Sequence, residues 1–134
     1  MAQSNDQKDK YQILLDELSE SRKALVTMME DIDKCKDAVL GTASNTNDYR
    51  NRYAKEERIK TISSFYSTAL SVRQEYNRNI ISEIELRRKL EKGDDGDIQF
   101  DIVKIAKQLE EARKKKEKDS KKISEIAKQV ESNN

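Results

Sequence analysis

Residues 49–92 read YRNRYAKEERIKTISSFYSTALSVRQEYNRNIISEIELRRKLEK, a stretch without proline or glycine. At 1.5 Å per residue it would form one helix about 66 Å long. Read at alternating steps of three and four, its seam is Ile59, Ile62, Tyr66, Ala69, Arg73, Tyr76 and Ile80. Phe65, Val72 and Leu90 flank that seam on one side, and Leu70, Ile81 and Ile84 on the other. On a helical wheel these apolar positions cover about half the circumference. A helix with so wide an apolar face is expected to serve two neighbours. Arg73, in the middle of the seam, is a charge at a core-facing position of the kind that fixes register or oligomeric state.

The segments on either side supply the neighbours. Upstream, about residues 8–40, the same stepping gives Tyr11, Leu14, Leu18, Ser21, Leu25, Met28, Ile32, Cys35 and Val39, with only Ser21 breaking the apolar run. That alternation, held over four heptads, is a coiled-coil-type seam. Gly41 stands where a glycine commonly ends a helix, and the turn residues of 41–48 follow it, with Asn47 or Asp48 as the next N-cap. Downstream, Gly93-Asp94-Asp95-Gly96-Asp97 predicts a second turn, with Asp97 as N-cap. A third helix, about 98–131, has the seam Ile98, Ile102, Ile105, Leu109, Ala112, Lys116, Asp119, Ile123, Ile126 and Val130. Two consecutive seam positions there are charged, so the core is expected to thin or open around Lys116 and Asp119.

Short connections favour antiparallel neighbours. The prediction is an all-α, elongated, antiparallel three-helix hairpin resembling a coiled coil. Residues 1–7 form a flexible lead, 8–131 a single helical domain, and 132–134 a frayed end. Charge supports the pairing. Residues 1–48 carry 6 basic and 10 acidic side chains, 49–92 carry 11 and 6, and 93–134 carry 10 of each. An acidic first helix beside a basic second one favours that partner and register, although exposed pairs contribute only about 0–1 kcal/mol each.

Composition narrows the function. Of the 134 residues 34% are hydrophobic and 40% charged, against roughly 45–50% and 25% in an ordinary globular chain. Helices with narrow seams therefore fit better than a large compact core. No histidine is present, which removes imidazole catalysis and the commonest zinc ligands. Cys35 is the only cysteine; on the seam, without a histidine to activate it, it is expected to be structural. Asp94, Asp95 and Asp97 do not make an EF-hand, because with Gly96 as the sixth loop residue the twelfth is Ile102, not glutamate. The glycines fall only at the two turns, so no phosphate-cradling loop is available. We expect no catalytic site, cofactor, metal or small-molecule substrate. No apolar run is long enough to span a bilayer and the start, Met1-Ala2-Gln3-Ser4-Asn5-Asp6, is polar. The expectation is a soluble intracellular protein, free in the cytoplasm or built into a larger assembly.

Two sets of residues carry candidate functions. Leu14, Leu18, Leu25, Met28, Ile32, Ile62, Tyr66, Ile80, Ile102 and Leu109 are seam positions that would pack within the chain or against a partner. They predict a structural or adaptor protein acting through helical surfaces, paired with itself as a homo-oligomer or with another helical protein. Tyr11, Leu15, Met29, Leu40, Leu70, Ile81 and Ile84 are apolar positions left over at the edges of those seams. The second set is basic. Arg50, Arg52, Lys55, Arg58 and Lys60 interleave with Tyr49 and Tyr53, a combination suited to phosphate neutralisation with base stacking. Arg113, Lys114, Lys115, Lys116, Lys121 and Lys122 belong to a run that could meet nucleic acid phosphates, anionic lipid heads or an acidic partner, the lipid reading being the weakest because 113–122 has no large apolar residue opposite the lysines. Over about 49–112 the outline resembles the small helical (small terminase-like) subunits of viral DNA-packaging machines. That resemblance implies assembly through antiparallel helical hairpins and association with DNA, in a packaging machine or a virion.

Overall fold

With no proline and glycines confined to the expected turns, little interrupts the chain's helical periodicity, and three long helices result. The computed structural model describes residues 5–44, 52–92 and 98–132, with side chains for 9–39, 41, 56–92 and 100–129. The helices are α1 (Asn5–Ser44), α2 (Arg52–Lys92) and α3 (Ile98–Ser132). Each packs against the other two, an all-α three-helix bundle. At 1.5 Å per residue α1 and α2 are each about 60 Å long.

α1 starts at Asn5, within the expected lead 1–7, and continues through Gly41 to Ser44 instead of ending at Leu40. One glycine in a helix costs about 1 kcal/mol relative to alanine, too little to stop a helix held by its neighbours. Gly41 is exposed, with open space where a side chain would stand. α2 is described from Arg52, and its expected start at Tyr49 lies outside the described residues. The connecting residues 45–51 and 93–97, with the candidate caps Asn47, Asp48 and Asp97, lie outside the described residues, as do 1–4 and 133–134.

Five side-chain pairs fix how α3 lies on α2: Lys89 with Asp101, Ser82 with Gln108, Glu75 with Lys115, Ser71 with Asp119, and Thr61 with Gln129. The intervals along the two helices are equal at every step. The pair is therefore antiparallel and in constant register along most of its length. α1 also runs against α2, since Leu18 and Arg22 meet Asn79 and Glu83 while the C-terminal half of α1 shares a cluster with Phe65 and Val72. Consequently α1 and α3 are parallel.

Apolar packing is concentrated toward the two ends. One cluster joins Tyr11, Leu14, Leu15 and Leu18 to Leu86 and Ile105, with Ile102 and Leu109 half-buried against it. The other joins Leu25, Met28, Ile32 and Val39 to Phe65, Val72, Ile123 and Ile126, with Ile62, Ala69, Tyr76 and Cys35 half-buried against it. The waist between them is polar.

The seam expected for α2 is corrected by one position. The buried residues are Phe65, Thr68, Val72, Glu75, Asn79, Ser82 and Leu86, which also alternate by three and four. A one-residue shift turns a helix by about 100°. Of the expected seam, Ile62, Ala69, Tyr76 and Ile80 become half-buried flanks, while Ile59, Tyr66 and Arg73 are exposed. Arg73 is therefore not a core charge. The cause is matching across helices: Asn79, Ser82 and Glu75 find partners on α1 and α3, and hydrogen-bonded polar groups can be buried at little cost where orphaned ones cannot.

Candidate interaction surface

The polar waist makes the outer surface of α2 what it is. Asn79, 3% exposed, donates from Nδ2 to the Leu18 carbonyl at 2.9 Å. Arg22 on α1 donates from both terminal nitrogens to Glu83, at 2.8 and 3.3 Å, and from Nη1 to Asn79 Oδ1 at 3.4 Å. The hydrogen bond from Arg22 holds the Glu83 carboxyl below the usual glutamate range, and the same bond raises Arg22. On the opposite flank, Ser82 and Gln108 are bonded at 2.9 Å, and Lys115 lies 3.4 Å from the buried Glu75. Each pair joins α2 to a different strip of its neighbours. Together they turn its polar seam inward.

The consequence appears on the other side. Ile59, Tyr66, Leu70, Ile81 and Ile84 are all exposed, Leu70 by 58%. On a wheel of 100° per residue they fall within about 60° of one another, centred about 180° from the buried seam. α2 thus carries an apolar stripe facing directly away from the core. Arg73 and Asn77 lie in the middle of it, exposed, and their side chains have no ion-pair or hydrogen-bond partner among the described residues. Phe100 on α3, 64% exposed, sits beside Glu85 and Lys89 near the Ile84 end. Sequence alone marks Leu70, Ile81 and Ile84 as surplus faces, assigns Ile59 and Tyr66 inward and does not single out Phe100. A wheel centred on the buried residues finds the five on α2, but only once the polar partners are known.

Other expected positions are placed as follows. Leu14, Leu18, Leu25, Met28 and Ile32 are buried between the helices, so they are occupied within the chain. Tyr11 and Leu15, expected at an edge, are buried as well, while Met29 is half-buried against the core. The side chain of Leu40 lies outside the described residues. Around Lys116 the bundle opens into a groove of about 430 Å³ between α1 and α3, floored by the small residues Ser21, Ala24, Ala106 and Ala112.

Among the described residues the basic side chains do not form one uninterrupted patch. The side chains of Arg50, Arg52 and Lys55 lie outside the described residues; Arg58 is half-buried and Lys60 pairs with Glu57 at 3.6 Å. Lys60 on α2 and Lys122 on α3 line one pocket, together with the acidic Glu57 and Glu125. Within the run of α3, Lys115 turns inward to Glu75, Arg113 pairs with Glu110 at 2.7 Å and Lys116 edges the groove. Lys114, Lys118 and Lys121 share the outer face with Lys107.

Among the described residues no three acidic or cysteine side chains are grouped to hold a metal, and no helix is long and apolar enough to cross a membrane. What the fold and surface define is a three-helix bundle with a polar-matched interior and an apolar outer stripe. No protein-family model matches the chain, and no curated protein or solved structure shows significant similarity to it.

Proposed function

We propose that the protein is a non-enzymatic interaction subunit that assembles with a helical partner through the outer face of α2. The observation that supports this is the alignment of the exposed Ile59, Tyr66, Leu70, Ile81 and Ile84 on one side of α2, opposite the buried seam. Helical spacing suits a helix as the opposing surface. Light scattering on a sizing column tests the reading. The wild-type chain, at 15.6 kDa per copy, should elute as an assembly, alone or with an added helical partner. Leu70→Asp with Ile81→Asp should abolish it while leaving helicity unchanged. A wild-type chain that is strictly monomeric and forms no such complex would refute it.

A second reading, association with DNA or RNA, is favoured by the shared outer face of Lys107, Lys114, Lys118 and Lys121. Binding of that kind weakens steeply with salt. Neutralising Lys114, Lys118 and Lys121 together should remove it. Lys115 is best left out of that set, because its loss would strip Glu75 of a partner. No salt-dependent shift with nucleic acid near physiological ionic strength would dismiss this reading.

A further inference from the structure

We infer that the partner on the α2 stripe is a second copy of this chain, lying antiparallel with its two-fold axis near residue 75. This rests on the reading of the stripe as an interaction face and adds the partner, the orientation and the register.

The order of residues along the stripe is self-complementary. Exposed apolar Ile59, Tyr66 and Leu70, with the half-buried Ile62 at their edge, are followed by the polar group Arg73, Gln74 and Asn77, and then by exposed apolar Ile81 and Ile84, with the half-buried Ile80 at theirs. Folded back on itself about residue 75, the central part of the pattern matches, while farther out Ile62 falls opposite Arg88 and Ile59 opposite Glu91. Leu70 meets Ile80 of the other copy, Tyr66 meets Ile84, and Arg73 meets Asn77. A closed two-fold interface requires this reciprocity of the surface with itself. An unrelated partner does not.

Charge selects the antiparallel arrangement. Parallel self-pairing would also match apolar with apolar, but it would set Arg73 against Arg73 and Arg88 against Arg88, and like charges directly opposed are unfavourable. In the antiparallel register each Arg73 instead lies opposite Asn77, whose amide oxygen can accept from a guanidinium. Both side chains lack a partner among the described residues of their own chain. Two symmetry-related contacts would satisfy them.

At the ends of the stripe the opposing apolar residue comes from α3 instead of α2. Asp101 is level with Lys89, so Phe100 is level with residue 90. The antiparallel register brings Ile59 of one copy opposite residue 91 of the other. Phe100 and Ile59, exposed by 64% and 53%, would then cover one another at both ends of the seam. From Ile59 to Ile84 the stripe runs about 38 Å. A helix-on-helix contact of that length, extended by Phe100, is on the order of the 1,000 Å² total that a specific interface needs.

The test combines stoichiometry and orientation in the full chain. Sedimentation equilibrium should give a monomer–dimer system, and Leu70→Asp with Ile81→Asp should raise the dissociation constant at least 100-fold with the far-ultraviolet circular dichroism unchanged. Single cysteines are then placed at Tyr66 and at Ile84 in a Cys35→Ser background and the two proteins are mixed under oxidation. Disulfides between Tyr66→Cys and Ile84→Cys chains are expected. Disulfides joining two Tyr66→Cys chains are not, since those positions would be about 27 Å apart along the axis. A dimer that links Tyr66→Cys to itself, or one indifferent to the double aspartate variant, overturns this inference and leaves open assembly by helical surfaces. A chain that stays monomeric and takes up no helical partner overturns both.

Discussion

The two faces of α2 reverse the usual arrangement. The face turned into the bundle carries Thr68, Glu75, Asn79 and Ser82 between Phe65, Val72 and Leu86, whereas the face turned out carries Ile59, Tyr66, Leu70, Ile81 and Ile84. Hydrophobicity alone would point α2 the other way. What differs is pairing: Glu75, Asn79 and Ser82 meet matching groups on α1 and α3 and Thr68 bonds back to the Ser64 carbonyl, and an unmatched buried polar group costs about 1–3 kcal/mol. The inner face thus sets register, and the outer face is left for intermolecular contact.

The contrast between the faces collapses most completely where an unpaired charge enters the interior. Leu18, 0% exposed, is packed against the α2 side of the bundle. Leu18→Asp buries an unpaired carboxylate and should cost about 4 kcal/mol or more. Against a total stability of about 5–15 kcal/mol, circular dichroism melts should show a largely unfolded chain or a transition lowered by tens of degrees.

Next comes the Glu75–Lys115 pair. Lys115→Ala should destabilise by about 1–3 kcal/mol in urea unfolding, below the roughly 3–5 kcal/mol for breaking a buried pair, because Lys115 is partly solvated and Glu75 keeps Arg78 at 3.8 Å. Glu75→Gln should cost less, because an amide leaves no buried charge. Equal effects would mean that the pair does not join α2 to α3.

Asn79→Ala removes the donor to the Leu18 carbonyl and the acceptor for Arg22, and should cost about 1–2 kcal/mol. Asn79→Leu separates register from stability. It should regain part of that loss through apolar burial while removing a group that specifies register, so hydrogen exchange across residues 65–90 should quicken even where the melting temperature does not fall.

The smallest effect is electrostatic. Glu83 is held below its usual range by Arg22, so its pairing is fully present above the unfolded value of about 4.3 and is lost as pH falls through the lower folded value. Stability should decline below about pH 4.3, and Glu83→Gln should flatten that acid limb. An unchanged slope in the variant would show that the Arg22 contact does not hold in solution.

Much of the bundle could be read from periodicity. Leu14, Leu18, Leu25, Met28 and Ile32 alternate on α1 and are buried, and of the two charged seam positions on α3 Lys116 edges the groove beside Ala112, whereas Asp119 is buried and accepts a hydrogen bond from Ser71. α2 could not be read this way. Its pattern contains two overlapping three-four alternations one residue apart, and the more apolar one does not take the core. Choosing between them requires knowing that Ser82 meets Gln108 and that Asn79 meets the Leu18 carbonyl, pairings made across 26 and 61 residues of chain. Gly41 misled for a simpler reason: its cost to a helix is small beside what tertiary packing returns.

Two neighbouring substitutions decide which way α2 faces. Val72 and Leu70 are two residues apart on the helix, the first 1% and the second 58% exposed. Urea unfolding of Val72→Asp and Leu70→Asp, extrapolated to dilute monomer, should show a loss of about 3 kcal/mol or more for the first and no more than about 0.5 kcal/mol for the second. A larger loss at Leu70 than at Val72 would mean that α2 turns its apolar stripe inward, contradicting both the polar-matched interior and the outer interaction face.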